Sequence, residues 1–171
     1  QLGIDLALGL VAALGLAPFG IWIATPLALA VLVRRAAWSG GVFWRLLAAG
    51  FGWFALSMSW IVEPFLVEPE IYGWMAPFAL VLMALGGALF WAIPAALAAR
   101  LAPAGPRRAV AIAAALVLSD WLRGWIFTGL PWALIGHAWI GTPLAQTAAW
   151  TGAIGLSLVT LALAVLPSLL R

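Results

Sequence analysis

Hydrophobic residues occur along this chain in six long continuous runs, without the alternation of apolar and polar positions that is typical of an exposed strand. The runs cover residues 2–16, 21–33, 46–62, 72–99, 109–127 and 148–170. A helix needs roughly 20 apolar residues to cross a bilayer, and it satisfies its own backbone hydrogen bonds there. A transmembrane barrel would instead alternate lipid-facing and lumen-facing residues. The pattern predicts an all-α membrane protein, a bundle of about six transmembrane helices forming one domain over residues 1–171.

Composition supports lipid as the main solvent of this chain. Its 171 residues are 67% hydrophobic and 8% charged, whereas an ordinary soluble domain is about half apolar and a quarter charged. Between Ala109 and Leu170 the only formal charges are Asp120 and Arg123. The net charge of +3 is too sparse for a nucleic-acid footprint, which needs a clustered basic face. We therefore expect a lipid bilayer, and no nucleic acid, as a partner.

The basic residues fall into two groups that follow the second and fourth apolar runs: Arg34, Arg35 and Arg45, and Arg100, Arg107 and Arg108. Cytoplasmic loops of membrane proteins carry an excess of Arg and Lys, so both groups are predicted to be cytoplasmic. The residues Glu63, Glu68 and Glu70 lie between the third and fourth runs and agree with an outer loop. The N-terminus is then cytoplasmic. Because the chain starts at Gln1 and stops at Arg171 within apolar sequence, we expect a fragment of a longer protein.

One ionisable pair lies near the outer end of the fifth run. Asp120 and Arg123 are three residues apart, so their side chains share a helix face and can pair. An ionisable pair at membrane depth indicates either a functional site or a structural ion pair that joins helices, and both readings stay open. The residues 121–132 that follow are dense in Gly, Pro and Trp and predict an irregular periplasmic loop, which either lines a lipid cavity or caps the bundle.

No set of residues in the chain composes a complete catalytic machine. The sequence has no cysteine, and His137 is its only histidine. A metal site needs further histidine or thiolate ligands, so we expect no metal, no other cofactor and a polar packing role for His137.

Two segments carry a family resemblance. Residues 122–125 read LRGW and residues 128–132 read TGLPW, which together resemble the LRGW-x-x-TG-[FL]-PW signature of bacterial apolipoprotein N-acyltransferases. Residues 16–22, LAPFGIW, are similar to the family's A-x-x-P-[FY]-x-x-W region. The chain departs from the family pattern at Asp120, where glutamate is usual, and at residues 137–139, where Tyr-Ser-Gln is more usual.

The resemblance implies an enzyme of the bacterial inner membrane. Such an enzyme moves an acyl chain from a phospholipid to the N-terminal amine of a diacylglyceryl-modified apolipoprotein, using a periplasmic nitrilase-like domain with a Glu, Lys and Cys triad. This chain has neither Cys nor Lys. It therefore resembles the N-terminal membrane domain, which would anchor the catalytic domain and form the lipid access region. We expect it to be inactive alone.

The resemblance places no catalytic residue in this chain. Substrate-binding residues beside the lipid entrance are predicted to be Arg123, Trp125, Pro131 and Trp132. The alternative from another class is a fragment of a small multispanning transporter or a non-enzymatic membrane scaffold. Transporters usually carry ionisable groups near the midplane in repeated halves, whereas this chain shows no repeat.

Overall fold

A computed structural model describes residues 1–170, except for the side chain of Thr128, and this part of the chain contains no β-strand. The all-α class is therefore confirmed. The α-helices are α1 (Leu2–Ala13), α2 (Ala24–Trp38), α3 (Val42–Ser57), α4 (Pro69–Tyr72), α5 (Ala76–Leu101), α6 (Pro106–Arg123) and α7 (Ala148–Leu169). Segments of 3-10 helix occupy Ser59–Leu66, Gly73–Met75, Ile126–Thr128, Ile135–Trp139 and Pro143–Thr147.

All the described α-helices except α4 form a closed ring. Each packs against its neighbours in the order α1, α3, α5, α6, α7 and α2, and α2 returns to α1. The interior is filled by large side chains with almost no exposed surface, among them Leu29, Leu46, Trp53, Trp91 and Leu116. Burial of such side chains against one another is what holds the ring together in its interior.

The helices α1 and α3 approach each other most closely at small residues. A Cβ atom added to Gly9 would collide with the backbone of Ala49, and one added to Gly52 would collide with the carbonyl of Leu6. Small residues let two backbones come into direct van der Waals contact, which is a common means of helix association in membranes.

Two helical segments in the described residues are long and apolar enough to cross a membrane, namely Pro69–Leu101 and Pro143–Leu169. A third is added if α3 and the segment Ser59–Leu66, which bend by 46° relative to each other, count as one span. Helix α1 has 12 residues, and its length of about 18 Å at 1.5 Å per residue is well below the ~30 Å of a bilayer core. Length and composition thus support two or three spans, fewer than the six apolar runs suggested.

The arginines between the second and third runs lie on helices and not in a loop. Helix α2 continues to Trp38, so Arg34 and Arg35 belong to its last turns, and Arg45 lies in the first turn of α3. Helix α2 extends beyond its apolar run because Arg35 forms an ion pair with the buried Asp5, which also binds Arg45 of α3. A tertiary partner of this kind leaves no trace in local hydrophobicity.

Two further helices end earlier than their apolar runs. The third helix stops at Ser57, and the chain continues as the bent 3-10 segment Ser59–Leu66, which contains Pro64. Helix α6 ends at Arg123, four residues before the predicted limit. There the amide of Leu130 donates to the carbonyl oxygen of Arg123 at 2.6 Å, so the chain folds back on the helix end.

Candidate functional site

The carboxylate of Asp120 lies near the end of α6 and accepts three hydrogen bonds. Its Oδ1 accepts from Nη2 of Arg123 at 2.8 Å. Its Oδ2 accepts from the hydroxyl of Ser157 at 2.8 Å and from the amide of Ile135 at 2.9 Å. The side chains of Arg123 and Asp120 are 4% and 0% exposed. Because a buried charge is tolerated only with such partners, this carboxylate joins α6, α7 and the loop between them.

The guanidinium of Arg123 contacts the same loop through backbone oxygens. Its Nη1 donates to the carbonyl of Trp132 at 2.8 Å, and its Nη2 donates to the carbonyl of Ala133 at 3.3 Å. Its Cζ lies 4.9 Å from the ring centroid of Phe54 on α3, a cation–π distance. Its Nε is buried and has no hydrogen-bond partner within the described residues. Arg123 therefore retains one donor that the fold does not use.

The loop after α6 has an unusual backbone. Ala133 has a φ of +51°, a left-handed conformation that costs a non-glycine residue roughly 1–2 kcal/mol. Its carbonyl oxygen accepts from Arg123 and also from Nε1 of Trp53 at 3.1 Å. Gly129 has a φ of +86°, and a Cβ added there would lie 2.6 Å from the carbonyl oxygen of Gly124. The Asp120 cluster, defined here as Asp120, Arg123 and Ser157, thus holds a strained loop in one shape.

An apolar cleft of about 650 Å³ opens beside Arg123, bounded by α3, the segment Ser59–Leu66, α5 and the loop after α6. Its walls include Met58, Leu82, Phe90 and Leu130, and Arg123 is the only charged residue among the described residues that line it. A cleft of this size with mostly apolar walls and one polar group is typical of a site for a small apolar ligand. The arrangement suits a hydrocarbon chain with a polar or anionic end.

The structure places the predicted substrate-binding residues in different surroundings. Arg123 lines the cleft, whereas Trp125, Pro131 and Trp132 are not among the described residues of its wall. The ring of Trp132 packs against that of Trp60 at a centroid distance of 4.5 Å. Trp125 is 72% exposed. Of the four residues, Arg123 alone combines a buried charge with access to the cleft.

His137 lies in the segment Ile135–Trp139 and borders a small pocket next to the loop between α1 and α2. Burial lowers the pKa of His137 below its usual 6.5, Asp120 opposes this change and Arg123 adds to it. The imidazole is therefore neutral at pH 7. The described residues contain no group of three His, Cys, Asp or Glu that could hold a metal ion.

Sequence reasoning missed a second buried carboxylate. Asp5 on α1 is fully buried. Its Oδ1 accepts from Nε of Arg35 and its Oδ2 from Nη1 of Arg45, each at 2.9 Å. Arg45 also donates from Nη2 to the side-chain oxygen of Gln1 at 2.6 Å. The available signal was a single charge inside the apolar run 2–16, whereas Ser157 was one of four hydroxyl residues in the last apolar run. We call Asp5, Arg35 and Arg45 the Asp5 cluster.

These observations define the class of protein. Helices with continuous apolar surface, buried ion pairs that join them and a lipid-sized cleft at one end are typical of the helical domain of an integral membrane protein.

Comparison with known proteins identifies the family. Residues 8–166 match the apolipoprotein N-acyltransferase N-terminal domain. The chain is 46% identical over 131 residues to an apolipoprotein N-acyltransferase of Caulobacter vibrioides, covering 76% of this chain and 25% of that protein. It is 36% identical over 166 residues to one from Brucella suis, covering 90% of this chain and 31% of that protein. A relative from Rhodopseudomonas palustris is 34% identical over 183 residues, covering 98% and 33%.

The chain therefore belongs to the apolipoprotein N-acyltransferase family, and its match lies in that family's N-terminal domain. It spans about a quarter to a third of the length of these relatives.

Proposed function

We propose that this chain is the membrane domain of an apolipoprotein N-acyltransferase of the bacterial inner membrane. The complete enzyme would transfer an acyl chain from a phospholipid to the N-terminal amine of a diacylglyceryl-cysteine lipoprotein. Because the 171 residues contain neither Cys nor Lys, a thiolate nucleophile and a lysine must come from residues outside them. The role of this chain is to anchor that catalytic part and to admit lipid. Family membership disfavours the transporter and scaffold alternatives.

The proposal that this chain admits lipid depends on Nε of Arg123, which has no hydrogen-bond partner among the described residues. Nε is buried and unpartnered, and the same residue supplies the only charge on the described wall of the apolar cleft. A lipid that places an acyl chain between α3 and α5 can present an ester or phosphate oxygen to that donor. A hydrogen bond to a charged donor is stronger than a neutral one. Arg123 then orients the lipid, while Trp132 and Trp60 hold the loop beside it. Trp125 and Pro131 complete the membrane-facing rim.

Six crossings are proposed for the membrane arrangement, with short helices such as α1 spanning a locally thinned bilayer. Two groups of residues would then face the cytoplasm, Arg34 with Arg35 and Arg107 with Arg108. The ranges 63–70 and 129–146 would face the periplasm. The support is the separation of charges between the two ends of the bundle and the positive-inside rule. Cysteines introduced singly at positions 68 and 107 in this cysteine-free chain provide the test with an impermeant thiol reagent. Labelling of position 107 from outside intact cells, with position 68 protected, would refute this orientation.

Acyl transfer by the full-length protein tests the proposed function directly. The full-length protein should N-acylate a diacylglyceryl peptide with phospholipid as donor, and the 171-residue chain alone should give no product above background. Arg123→Lys keeps the charge but loses the planar donor set, so it should raise KM for the lipid while the protein stays folded. Arg100→Lys, an exposed position at the other end of the bundle, is the matched control. Normal lipid kinetics in a folded Arg123→Lys enzyme would contradict the role of Arg123 in lipid binding.

A further inference from the structure

The end of the bundle opposite to the Asp120 cluster carries most of the positive charge. The end of α2, the start of α3, the end of α5 and the start of α6 lie there, because Arg35 and Arg45 share Asp5 and the amide of Gly105 donates to the carbonyl of Ala37 at 3.0 Å. The described charged side chains at this end are one carboxylate, that of Asp5, and six guanidiniums, those of Arg34, Arg35, Arg45, Arg100, Arg107 and Arg108. This surface is therefore strongly cationic.

An apolar groove of about 520 Å³ runs along α2 to this cationic end. Leu27, Ala30 and Val31 line it at helical spacing, followed by Arg34, and Trp38 lies at its end. The distance from Leu27 to Trp38 along the helix is about 16 Å at 1.5 Å per residue. Leu27 is 61% exposed and Trp38 is 53% exposed. The groove thus changes from hydrocarbon walls to the guanidiniums of Arg34 and Arg35 and an indole within the length of one acyl chain.

Arg34 differs from its neighbour Arg35 in having no carboxylate partner in the described part of the chain. Its Nη1 donates to the carbonyls of Pro167 and Leu170 at the end of α7. These bonds hold the guanidinium across the mouth of the groove, and among the described residues no acceptor binds its Nε or Nη2. Such a fork of donors can bind two oxygens of one phosphate.

We propose that this groove binds one anionic phospholipid, with an acyl chain along Leu27 and Val31 and the phosphate on Arg34. Charge complementarity selects this occupant, because the surrounding end of the bundle is cationic and a basic pocket between transmembrane helices recognises anionic headgroups. Trp38 lies where an interfacial indole packs against the headgroup region. This proposal requires the arginine-rich end of the bundle to lie at a membrane surface. The groove is separate from the cleft beside Arg123.

Native mass spectrometry of the detergent-purified chain tests the site, with phosphatidylglycerol and phosphatidylcholine of identical acyl chains as probes. The wild-type chain should retain one phosphatidylglycerol with roughly tenfold preference. Arg34→Gln should reduce this preference about fivefold, because it removes the charged hydrogen bond to the phosphate. Arg107→Gln removes an equal charge from an exposed position at the same end and outside the groove, and it should change the preference less than twofold.

Two further variants separate lipid binding from folding. Arg34→Lys keeps the charge and should retain most of the preference, whereas Ala30→Phe fills the groove and should lower retention of both lipids. Thermal stability is measured for each variant. If Arg34→Gln and Arg107→Gln lost equal preference for phosphatidylglycerol, the lipid would be held by general attraction to the cationic end and not by a site. That result would overturn the proposal. So would a wild-type chain without lipid preference, or a dimer mass replacing the lipid adduct. Acyl transfer does not enter this experiment, so either proposal can fail without the other.

Discussion

The two ends of the bundle each contain a buried carboxylate and arginine, but the partners differ. Asp5 receives hydrogen bonds from two arginines, Arg35 and Arg45, and thereby joins only regular elements, α1, α2 and α3. Asp120 accepts hydrogen bonds from one arginine, one hydroxyl and one backbone amide, and so joins α6 and α7 to an irregular loop. The same pairing locks three helices at one end. At the other end it shapes a loop and keeps a cation at the wall of a cleft.

The clusters also differ in their access to solvent. The Arg35 and Arg45 side chains are 29% and 9% exposed, whereas that of Arg123 is 4% exposed. If Asp5 is lost, Arg35 can turn toward water or headgroups. If Asp120 is lost, Arg123 faces only the apolar walls of the cleft, which cannot replace the carboxylate. We therefore expect the Asp120 cluster to be the more sensitive of the two.

The largest effect is expected from breaking the Asp120 pair. Asp120→Ala leaves a buried guanidinium without its counterion, and it should lower the free energy of unfolding by roughly 3–5 kcal/mol. Arg123→Ala should cost a similar amount. The double variant should lose clearly less than the sum of the two single losses, because it leaves neither charge unpaired. Unfolding of the four proteins in one detergent gives the coupling energy, and strictly additive losses would contradict the pairing.

A smaller loss is expected at the other cluster. Asp5→Ala removes two charged hydrogen bonds, but one of the arginines remains accessible, so the free energy of unfolding should fall by roughly 2–3 kcal/mol. Combined with Asp120→Ala, the loss should be additive within about 0.5 kcal/mol, because the clusters share no partner. Strong coupling between Asp5 and Asp120 would show that the two ends do not act independently.

The contrast between the clusters also explains what the sequence could predict. The pairing of Asp120 with Arg123 follows from a spacing of three residues on a helix, and the structure contains that contact. Asp5 and Arg45 are 40 residues apart in sequence, so their pairing depends on how α1 meets α3. The all-α class follows from continuous apolar runs. The ends of α2 and α6 cannot be predicted from those runs. The end of α2 depends on the ion pair of Arg35, and the end of α6 depends on the return of the loop onto Arg123.

The fixed shape of the loop at the Asp120 cluster gives a third prediction. Gly129→Ala places a methyl group in a left-handed conformation, which costs roughly 1–2 kcal/mol, and also brings it within 2.6 Å of the carbonyl oxygen of Gly124. Gly141 is the matched control, because its φ of +87° is nearly identical and nothing lies within 4 Å of an added Cβ. Gly129→Ala should therefore lower the free energy of unfolding by about 1 kcal/mol more than Gly141→Ala. Equal losses would show that the close contact with Gly124 relaxes without cost.

The smallest effect, a dependence of stability on pH, should come from the Asp120 end alone. His137 is the only histidine in the chain, and burial lowers its pKa below 6.5, against the opposing influence of Asp120. Between the lowered pKa and 6.5, the unfolded chain binds a proton that the folded chain does not bind. The free energy of unfolding should therefore fall as the pH decreases through 6.5, and it should be fully retained above that value.

Unfolding measured at pH 7.5 and 5.5 at constant ionic strength should show this loss of stability in the wild-type chain and in Asp5→Ala. The loss should be absent in His137→Gln, because glutamine does not titrate. If His137→Gln lost as much stability as the wild-type chain, the proton would bind elsewhere, and the difference in pH response between the two ends would disappear.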